Sequence, residues 1–204
     1  MKIVVVGAGI GGMLTAEKLG QLGFDVVVYE KANSLDEMRY DWHDDVSPVV
    51  FEELGLTIPK ESAPKRSWTF CSPYEKVTRE FHQDENCPDL SIERRPLNQM
   101  LYDRASKYAT FIFGKTVTAP VLEGDRVVGV KVGDEVVPAD LVIDASGLNS
   151  PFRGQIPTKF GVPEGSGKNG IMRGWRGFFV RNEEAPTPDP ESTLYIKHLD
   201  GVGI

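Results

Sequence analysis

The chain has 204 residues, of which 40% are hydrophobic and 26% are charged, as is usual for a soluble globular protein. Thirty acidic residues against 23 basic ones give a formal net charge of −7, which argues against a general nucleic-acid binder because such proteins carry a basic surface. No apolar run approaches the roughly 18 residues of a transmembrane segment, and no signal peptide precedes the first predicted strand, so we expect a cytoplasmic protein.

The first thirty residues predict a strand, a glycine-rich turn, a helix and a second strand. Residues 2–6 and 25–29 are short apolar runs rich in β-branched residues, which predict buried parallel strands. Between them, the turn Gly7-Ala8-Gly9-Ile10-Gly11-Gly12 opens a helix that we expect to end at Gly23. The side chains expected on its buried face are Leu14, Ala16, Leu19 and Leu22.

This strand–turn–helix–strand pattern is typical of a dinucleotide-binding fold. Gly7 permits the tight turn, Gly9 lets the backbone approach a pyrophosphate, and Gly12 lets the helix pack closely on the strand. The helix N-terminus offers N–H groups and a positive dipole end to an anion. Glu30 ends the second strand, 23 positions after Gly7. Its carboxylate can accept hydrogen bonds from ribose hydroxyls, which favours FAD or NAD over NADP.

The rest of the chain predicts polar loops, short strands and two more helices. Residues 31–45 have no clear period and predict a loop. Ser47-Pro48 is a helix start, with a capping hydroxyl, and Gly55 ends that helix. A second helix is predicted over 96–107, where apolar residues recur at helical spacing. Strands are predicted at 68–71, 77–81, 90–93, 111–113, 126–132, 135–137, 141–143, 174–180 and 193–198, and that at 141–143 is expected to be buried.

The cysteines and histidines form no recognisable metal or disulfide site. Cys71 and Cys87 are too few and too far apart for a disulfide framework, so we expect free thiols. The three histidines, His43, His82 and His198, have no metal-ligand spacing, and we expect no metal centre.

Three separated segments carry a resemblance to a known family. The first is the glycine-rich turn through Glu30, the second is residues 91–101 (SIERRPLNQML), and the third is residues 139–153 (ADLVIDASGLNSPFR). In this order they resemble the FAD-dependent oxidoreductases of the para-hydroxybenzoate hydroxylase fold. The resemblance implies an α/β fold with a Rossmann-like FAD-binding domain, built on a parallel sheet with a β-meander, and a partial antiparallel-sheet substrate domain.

The resemblance also implies domain boundaries. The FAD-binding domain would comprise residues 1–60 and 94–153, and the substrate domain would comprise residues 61–93 and 154–204. The family continues into a further flavin-side segment that nothing after Gly147 matches, and the chain stops at Gly203-Ile204 within an apparent strand. We therefore expect the sequence to be a fragment of a longer protein.

The resemblance further implies which residues contact the cofactor. Arg94 would lie near a helix N-terminus, where its guanidinium could meet a phosphate or ribose oxygen; a solvated pair with Arg95 is the alternative. Asp144 could hold a turn with its side chain, or simply end a strand, and Gly147 would let the backbone approach the adenosine. The expected cofactor contacts are Gly7, Gly9, Ile10, Gly11, Gly12, Glu30, Lys31, Arg94, Val117, Asp144 and Gly147.

Within this fold, residues 42–48 (WHDDVSP) and 51–56 (FEELGL) are most similar to the geranylgeranyl reductase branch. That branch reduces C=C bonds of isoprenoid lipids with FAD, which implies a hydrophobic substrate. Trp42 stands where the branch usually has a cysteine, so a monooxygenase that hydroxylates an aromatic ring with FAD and NAD(P)H is an alternative. His43 and Asp44 are candidate proton donors or substrate contacts; a polar surface loop is the other interpretation.

A third hypothesis is a dinucleotide-binding fragment without catalysis, motivated by the missing flavin-side segment. NAD(P)H is a candidate electron donor in both enzymatic hypotheses. A lipid substrate would bring the protein to a membrane surface as a peripheral visitor. The sequence predicts no nucleic-acid partner and leaves the oligomeric state open.

Overall fold

The structure, a computed structural model, describes residues 1–38, 43–60, 62–71, 77–84, 86–162 and 193–197. The chain forms two compact units, residues 1–39 with 98–171 and residues 40–97 with 172–204. The four-segment domain division stays a prediction. The strand predicted at 174–180 and the departure at Trp42 lie outside the described residues.

In chain order the described elements are β1 (Lys2–Val6), α1 (Ile10–Gln21), β2 (Asp25–Tyr29), β3 (His43–Val46), α2 (Pro48–Leu54), β4 (Ser62–Lys65), β5 (Ser67–Cys71), β6 (Thr78–His82), β7 (Asp89–Glu93), α3 (Arg94–Ala105), β8 (Thr110–Ile112), β9 (Val117–Glu123), β10 (Arg126–Val132), β11 (Glu135–Pro138), β12 (Leu141–Asp144), a 3-10 turn (Thr158–Phe160) and β13 (Thr193–Lys197). None of the helices in the described ranges is long and apolar enough to span a bilayer.

A parallel sheet forms the centre of the first unit. Its strand order is β12-β1-β2-β8, and every neighbouring pair is parallel. In β1 the side chains of Ile3, Val4 and Val5 are fully buried, as expected for a strand with neighbours on both sides. The expectation that 141–143 is buried is wrong: β12 lies at an edge of the sheet, and Leu141 is 41% exposed.

Helix α1 buries only part of the face that was predicted: Ala16 is buried, and Leu14 and Leu19 are half-buried. Its buried residues are Gly12, Met13, Ala16 and Glu17, whereas Leu22 is 72% exposed. Leu22 lies beyond the last helical residue, and Gly23 follows it with a φ of 83°, so the chain turns away before Leu22 can pack. A buried glutamate breaks the apolar pattern on which the prediction depended.

A β-meander covers part of the parallel sheet. Strands β9, β10 and β11 form an antiparallel sheet in the order β11-β10-β9, and the predicted hairpin turn at Gly133-Asp134 is confirmed by the pairing of Val132 with Glu135. Valines of the meander pack with Val4 and Val6 of β1 in one hydrophobic cluster. The predicted Rossmann-like fold with a β-meander is therefore confirmed.

The second unit contains two small sheets, β3-β7-β4, which is antiparallel, and β13-β5-β6. The prediction that 31–45 is entirely loop is wrong, because His43–Val46 pairs with β7 as a strand. The polar sequence of this segment does not predict a strand, and it forms one because pairing with β7 outweighs its local preference. Strand β4 was not predicted; it carries Pro64 and lies at a sheet edge, where a missing backbone donor is tolerated.

Helix α2 begins and ends where predicted. Pro48 is its first residue, and Gly55 follows its last residue in the left-handed conformation, with a φ of 62°. Ser47 precedes the helix in an extended conformation, but its hydroxyl makes no capping hydrogen bond. The helix boundary therefore follows from proline and glycine rather than from the expected cap.

Candidate functional site

The glycine-rich turn between β1 and α1 is closely packed at two of its glycines. A Cβ built on Gly12 would lie 2.0 Å from the carbonyl oxygen of Gly7. One built on Gly7 would lie 2.6 Å from the carbonyl oxygen of Ala145, and Gly7 has a φ of 98°. Any side chain at either position would force the backbone to move, which is the role that the sequence predicts for these two residues.

The other two glycines of the turn face open space. Among the described residues, a Cβ built on Gly9 or on Gly11 meets no atom within 4 Å apart from its chain neighbours and its own helix backbone. Their small size is therefore not required by packing within the protein. It leaves room beside the first turn of α1, where unpaired N–H groups and the helix dipole favour an anion.

Glu30 connects this turn to the loop after β2. Its carboxylate accepts hydrogen bonds from the backbone N–H groups of Ala8, at 2.8 Å, and Ala32, at 2.9 Å. The residue is 8% exposed. A carboxylate has about four acceptor positions, so two remain for the hydroxyls of a sugar. Glu30 therefore stabilises the turn and can still bind a ligand.

A cleft of about 350 Å³ opens at the carboxyl ends of β1 and β2. This is the position at which parallel α/β sheets bind nucleotides, and the volume is at the lower end of the usual range for ligand pockets, about 300–1,000 Å³. Four residues of the expected cofactor site line it: Gly7, Glu30, Lys31 and Val117. The cleft therefore lies at the edge of the sheet where the ADP part of a dinucleotide is expected.

Sequence reasoning missed about two thirds of the cleft lining. The missed residues are Val6, Tyr29, Lys115, Thr116, Thr118, Ser146, Asn149 and Pro151. Ser146 and Asn149 lie within the third segment that carries the family resemblance, so that segment was a usable signal for them. Lys115 and Thr116 lie in the connection between β8 and β9, where no periodicity marks a site.

Asp144 holds the turn after β12, as one of the two interpretations predicted. Its carboxylate accepts hydrogen bonds from the backbone N–H of Ser146, at 3.1 Å, and from the hydroxyls of Ser146 and Ser150. Gly147 follows in the left-handed region, with a φ of 79°, and a Cβ built on it would meet no described residue within 4 Å other than its chain neighbours. Asp144 and Gly147 do not line the cleft, and their contact with a cofactor stays a prediction.

The second unit brings two predicted site residues together. The guanidinium of Arg94 donates to both carboxylate oxygens of Asp44, from Nε to Oδ2 at 2.7 Å and from Nη2 to Oδ1. Both side chains are mostly buried, at 24% and 19% exposure. Such a bidentate pair orients both groups. The phosphate contact of Arg94 and the catalytic role of Asp44 stay predictions.

His43 and Asp44 lie on opposite faces of the β3-β7-β4 sheet. They are consecutive in β3, and successive side chains of a strand alternate between faces. His43 shares its face with Asp45, whose carboxylate lies 3.8 Å from His43 Nε2 and also pairs with the buried Lys65. The two candidate catalytic residues therefore cannot act on one substrate atom together, and each role is a separate prediction.

Comparison with known proteins agrees with the geometry of the first unit. Residues 5–53 match the family described as the NAD(P)-binding Rossmann-like domain. The chain is 31% identical over 160 residues to the probable electron transfer flavoprotein-quinone oxidoreductase YdiS of Escherichia coli. It is 30% identical over 153 residues to the digeranylgeranylglycerophospholipid reductase of Haloferax volcanii, and 28% identical over 173 residues to the FAD-dependent monooxygenase dpmaE of Metarhizium anisopliae.

These alignments cover 72%, 74% and 76% of this chain but 36% of each relative. The chain therefore spans about a third of the length of the curated relatives that it matches. Among solved structures, a geranylgeranyl bacteriochlorophyll reductase-like protein from Thermoplasma acidophilum superposes with a TM-score of 0.64 at 22% identity. That match covers 75% of this chain and 41% of the solved one, and it shows a shared fold.

Proposed function

Because the chain belongs to the FAD-dependent oxidoreductases and carries their Rossmann-like dinucleotide-binding domain, we propose that it binds FAD with the ADP part in the cleft of the first unit. The observation that carries the proposal is the contrast among the glycines of one turn. Gly7 and Gly12 are packed against protein, whereas Gly9 and Gly11 face open space beside a helix N-terminus.

The residues of the chain bind and orient the cofactor. The first turn of α1 stabilises the diphosphate, Glu30 accepts hydrogen bonds from ribose hydroxyls, and Lys31 and Lys115 add positive charge to the same cleft. Burial of Glu30 excludes water from its carboxylate. When bound, FAD supplies hydride-transfer chemistry that no side chain can supply.

We propose that the reaction is reduction of a C=C bond in a hydrophobic, isoprenoid-like substrate, with NAD(P)H as the electron donor. The 30% identity to a digeranylgeranylglycerophospholipid reductase supports this proposal. Hydroxylation of an aromatic ring is the second candidate, and it is favoured by the 28% identity to an FAD-dependent monooxygenase over a similar share of the chain.

Glu30→Lys tests the binding proposal. The substitution removes the acceptor for the N–H groups of Ala8 and Ala32 and places a cation where ribose hydroxyls need an acceptor, so FAD retention after dialysis is expected to fall at least tenfold. Asp36→Lys is the matched control, because it makes the same charge change at an exposed position of the following loop and should leave retention unchanged. Wild-type protein that takes up no added FAD would overturn the proposal.

Oxygen dependence separates the reactions. If protein whose bound flavin has been reduced can reduce an isoprenoid alkene without oxygen, the reductase hypothesis is supported. Consumption of NAD(P)H that requires oxygen and an aromatic substrate supports the monooxygenase. FAD binding without either turnover supports the third hypothesis, a binding fragment, and the assay is best made on the chain and on the longest reading frame that contains it.

A further inference from the structure

Asn98, on the buried face of α3, carries a polar atom that the protein leaves unsatisfied. The residue is 4% exposed, and its Oδ1 has no hydrogen-bond partner in the described part of the chain. It shares this face with Leu101 and Ala105, which are 1% and 0% exposed. Buried polar atoms almost always have partners in folded proteins, so this oxygen calls for a hydrogen-bond donor from outside the described residues.

The position of Asn98 follows from the packing of α3 beside α1. Arg104 Nη2 donates to Glu17 Oε1 at 2.7 Å, and a Cβ built on Gly20 would lie 2.3 Å from the carbonyl oxygen of Tyr108. Arg104 of α3 therefore meets Glu17 of α1, and Tyr108, three residues beyond the end of α3, meets Gly20, so the contacts advance in the same direction along both segments.

Six residues separate Asn98 from Arg104, which at 1.5 Å per residue places Asn98 about 9 Å nearer the helix N-termini. The same step back from Glu17 along α1 reaches Gly11, in the first turn of that helix. Asn98 is therefore expected at about the level of the first turn of α1, beside which Gly9 and Gly11 face open space.

The chemistry of the orphaned atom restricts its partner. A carboxamide oxygen only accepts hydrogen bonds, and an ionised phosphate also only accepts them. A donor that accompanies the diphosphate fits this oxygen, and the sugar-type hydroxyls on either side of a dinucleotide diphosphate are such donors.

We propose that Asn98 is a binding residue for the dinucleotide, with Oδ1 accepting a hydrogen bond from a hydroxyl next to the diphosphate. The inference rests on the proposed binding of FAD and adds a contact that neither the glycine motif nor the cleft includes. It also explains why α3 places a polar side chain between apolar ones on its buried face.

Asn98→Leu tests the proposal with two readouts. Leucine has a similar volume and no oxygen to satisfy, so the thermal midpoint of the FAD-free protein should stay the same or rise. The dissociation constant for FAD, measured by quenching of flavin fluorescence, should increase about tenfold, which is the effect of about 1.4 kcal/mol. Activity is not needed for either measurement.

Leu101→Met, one turn further along the same buried face, is the matched control and should leave FAD affinity unchanged. Unchanged FAD affinity in Asn98→Leu overturns the inference, as does a lower midpoint of the FAD-free protein with unchanged affinity, which would make Asn98 a structural residue. If the leucine variant does not fold, Asn98→Ala provides the same affinity comparison. Failure of the wild-type protein to bind FAD would instead remove the proposed function.

Discussion

The parallel sheet of the first unit and the β3-β7-β4 sheet of the second are stabilised by different interactions. Strand β1 is β-branched and almost fully buried, and two of the glycines after it, Gly7 and Gly12, pack directly on backbone. Strand β3 reads His-Asp-Asp-Val, and its two aspartates pair with Arg94 and Lys65. The comparison teaches that the predicted cofactor region depends on close packing of small residues, whereas the polar sheet depends on specific charge pairs.

Gly12→Ala should produce the largest effect, because the new Cβ would lie 2.0 Å from a backbone oxygen that cannot move without opening the turn. We expect a loss of about 3 kcal/mol in the free energy of unfolding, at the upper end for overpacked sites, and loss of FAD binding. Urea denaturation and flavin fluorescence measure the two effects.

Gly9→Ala is the matched control for this packing argument. Apart from its chain neighbours, no atom of the described residues lies within 4 Å of its Cβ, so stability without FAD should change by less than about 0.5 kcal/mol. FAD affinity should still fall, because the methyl group occupies the space where the ligand lies. Equal destabilisation by the two variants would contradict the contrast between the glycines.

Asp44→Ala should have an intermediate effect on stability. It removes two hydrogen bonds between charged groups in a mostly buried pair, each worth about 1.5–3 kcal/mol before relaxation, and we expect a net loss of about 2 kcal/mol. A double-mutant cycle with Arg94→Ala measures the coupling directly. Additive effects of the two substitutions would show that the pair contributes nothing to the polar sheet.

The smallest expected effect is a loss of stability at alkaline pH that depends on Tyr29. Burial, together with the charge of Glu135, raises the pKa of Tyr29. The folded protein therefore holds this proton at pH values where the unfolded chain, with a tyrosine pKa of about 10, releases it. Stability present below about pH 10 is lost as the pH rises toward the pKa of the folded state.

Tyr29→Phe should lose less stability than the wild type between about pH 9 and about pH 11, the range around the ordinary tyrosine pKa. Tyr108→Phe, which changes an exposed tyrosine, is the control and should follow the wild type. Urea unfolding midpoints of all three proteins at both pH values provide the measurement. If the midpoint falls equally in all three between the two pH values, Tyr29 is not the group whose raised pKa causes the loss.

Much of the first unit could be predicted from local sequence. The β-branched run of β1 and the glycine spacing specify structure through neighbours a few residues away, which is why the strand, turn and helix were expected correctly. The buried Glu17 could not be expected, because its partner Arg104 is 87 residues distant. The strand at His43–Val46 was missed for the same reason, since its pairing with β7 is encoded elsewhere in the chain.

The sequence by itself determined a dinucleotide-binding turn and the acid that accompanies it, because the steric freedom of glycine and the end of an apolar run are local properties. Only the tertiary structure decided that Glu30 connects two backbone segments, that His43 and Asp44 face opposite ways, and that Arg104 of α3 pairs with the buried Glu17 of α1. These relations depend on strand register and on the side-by-side packing of two helices, and no local pattern encodes the distance between segments that meet only when the chain folds.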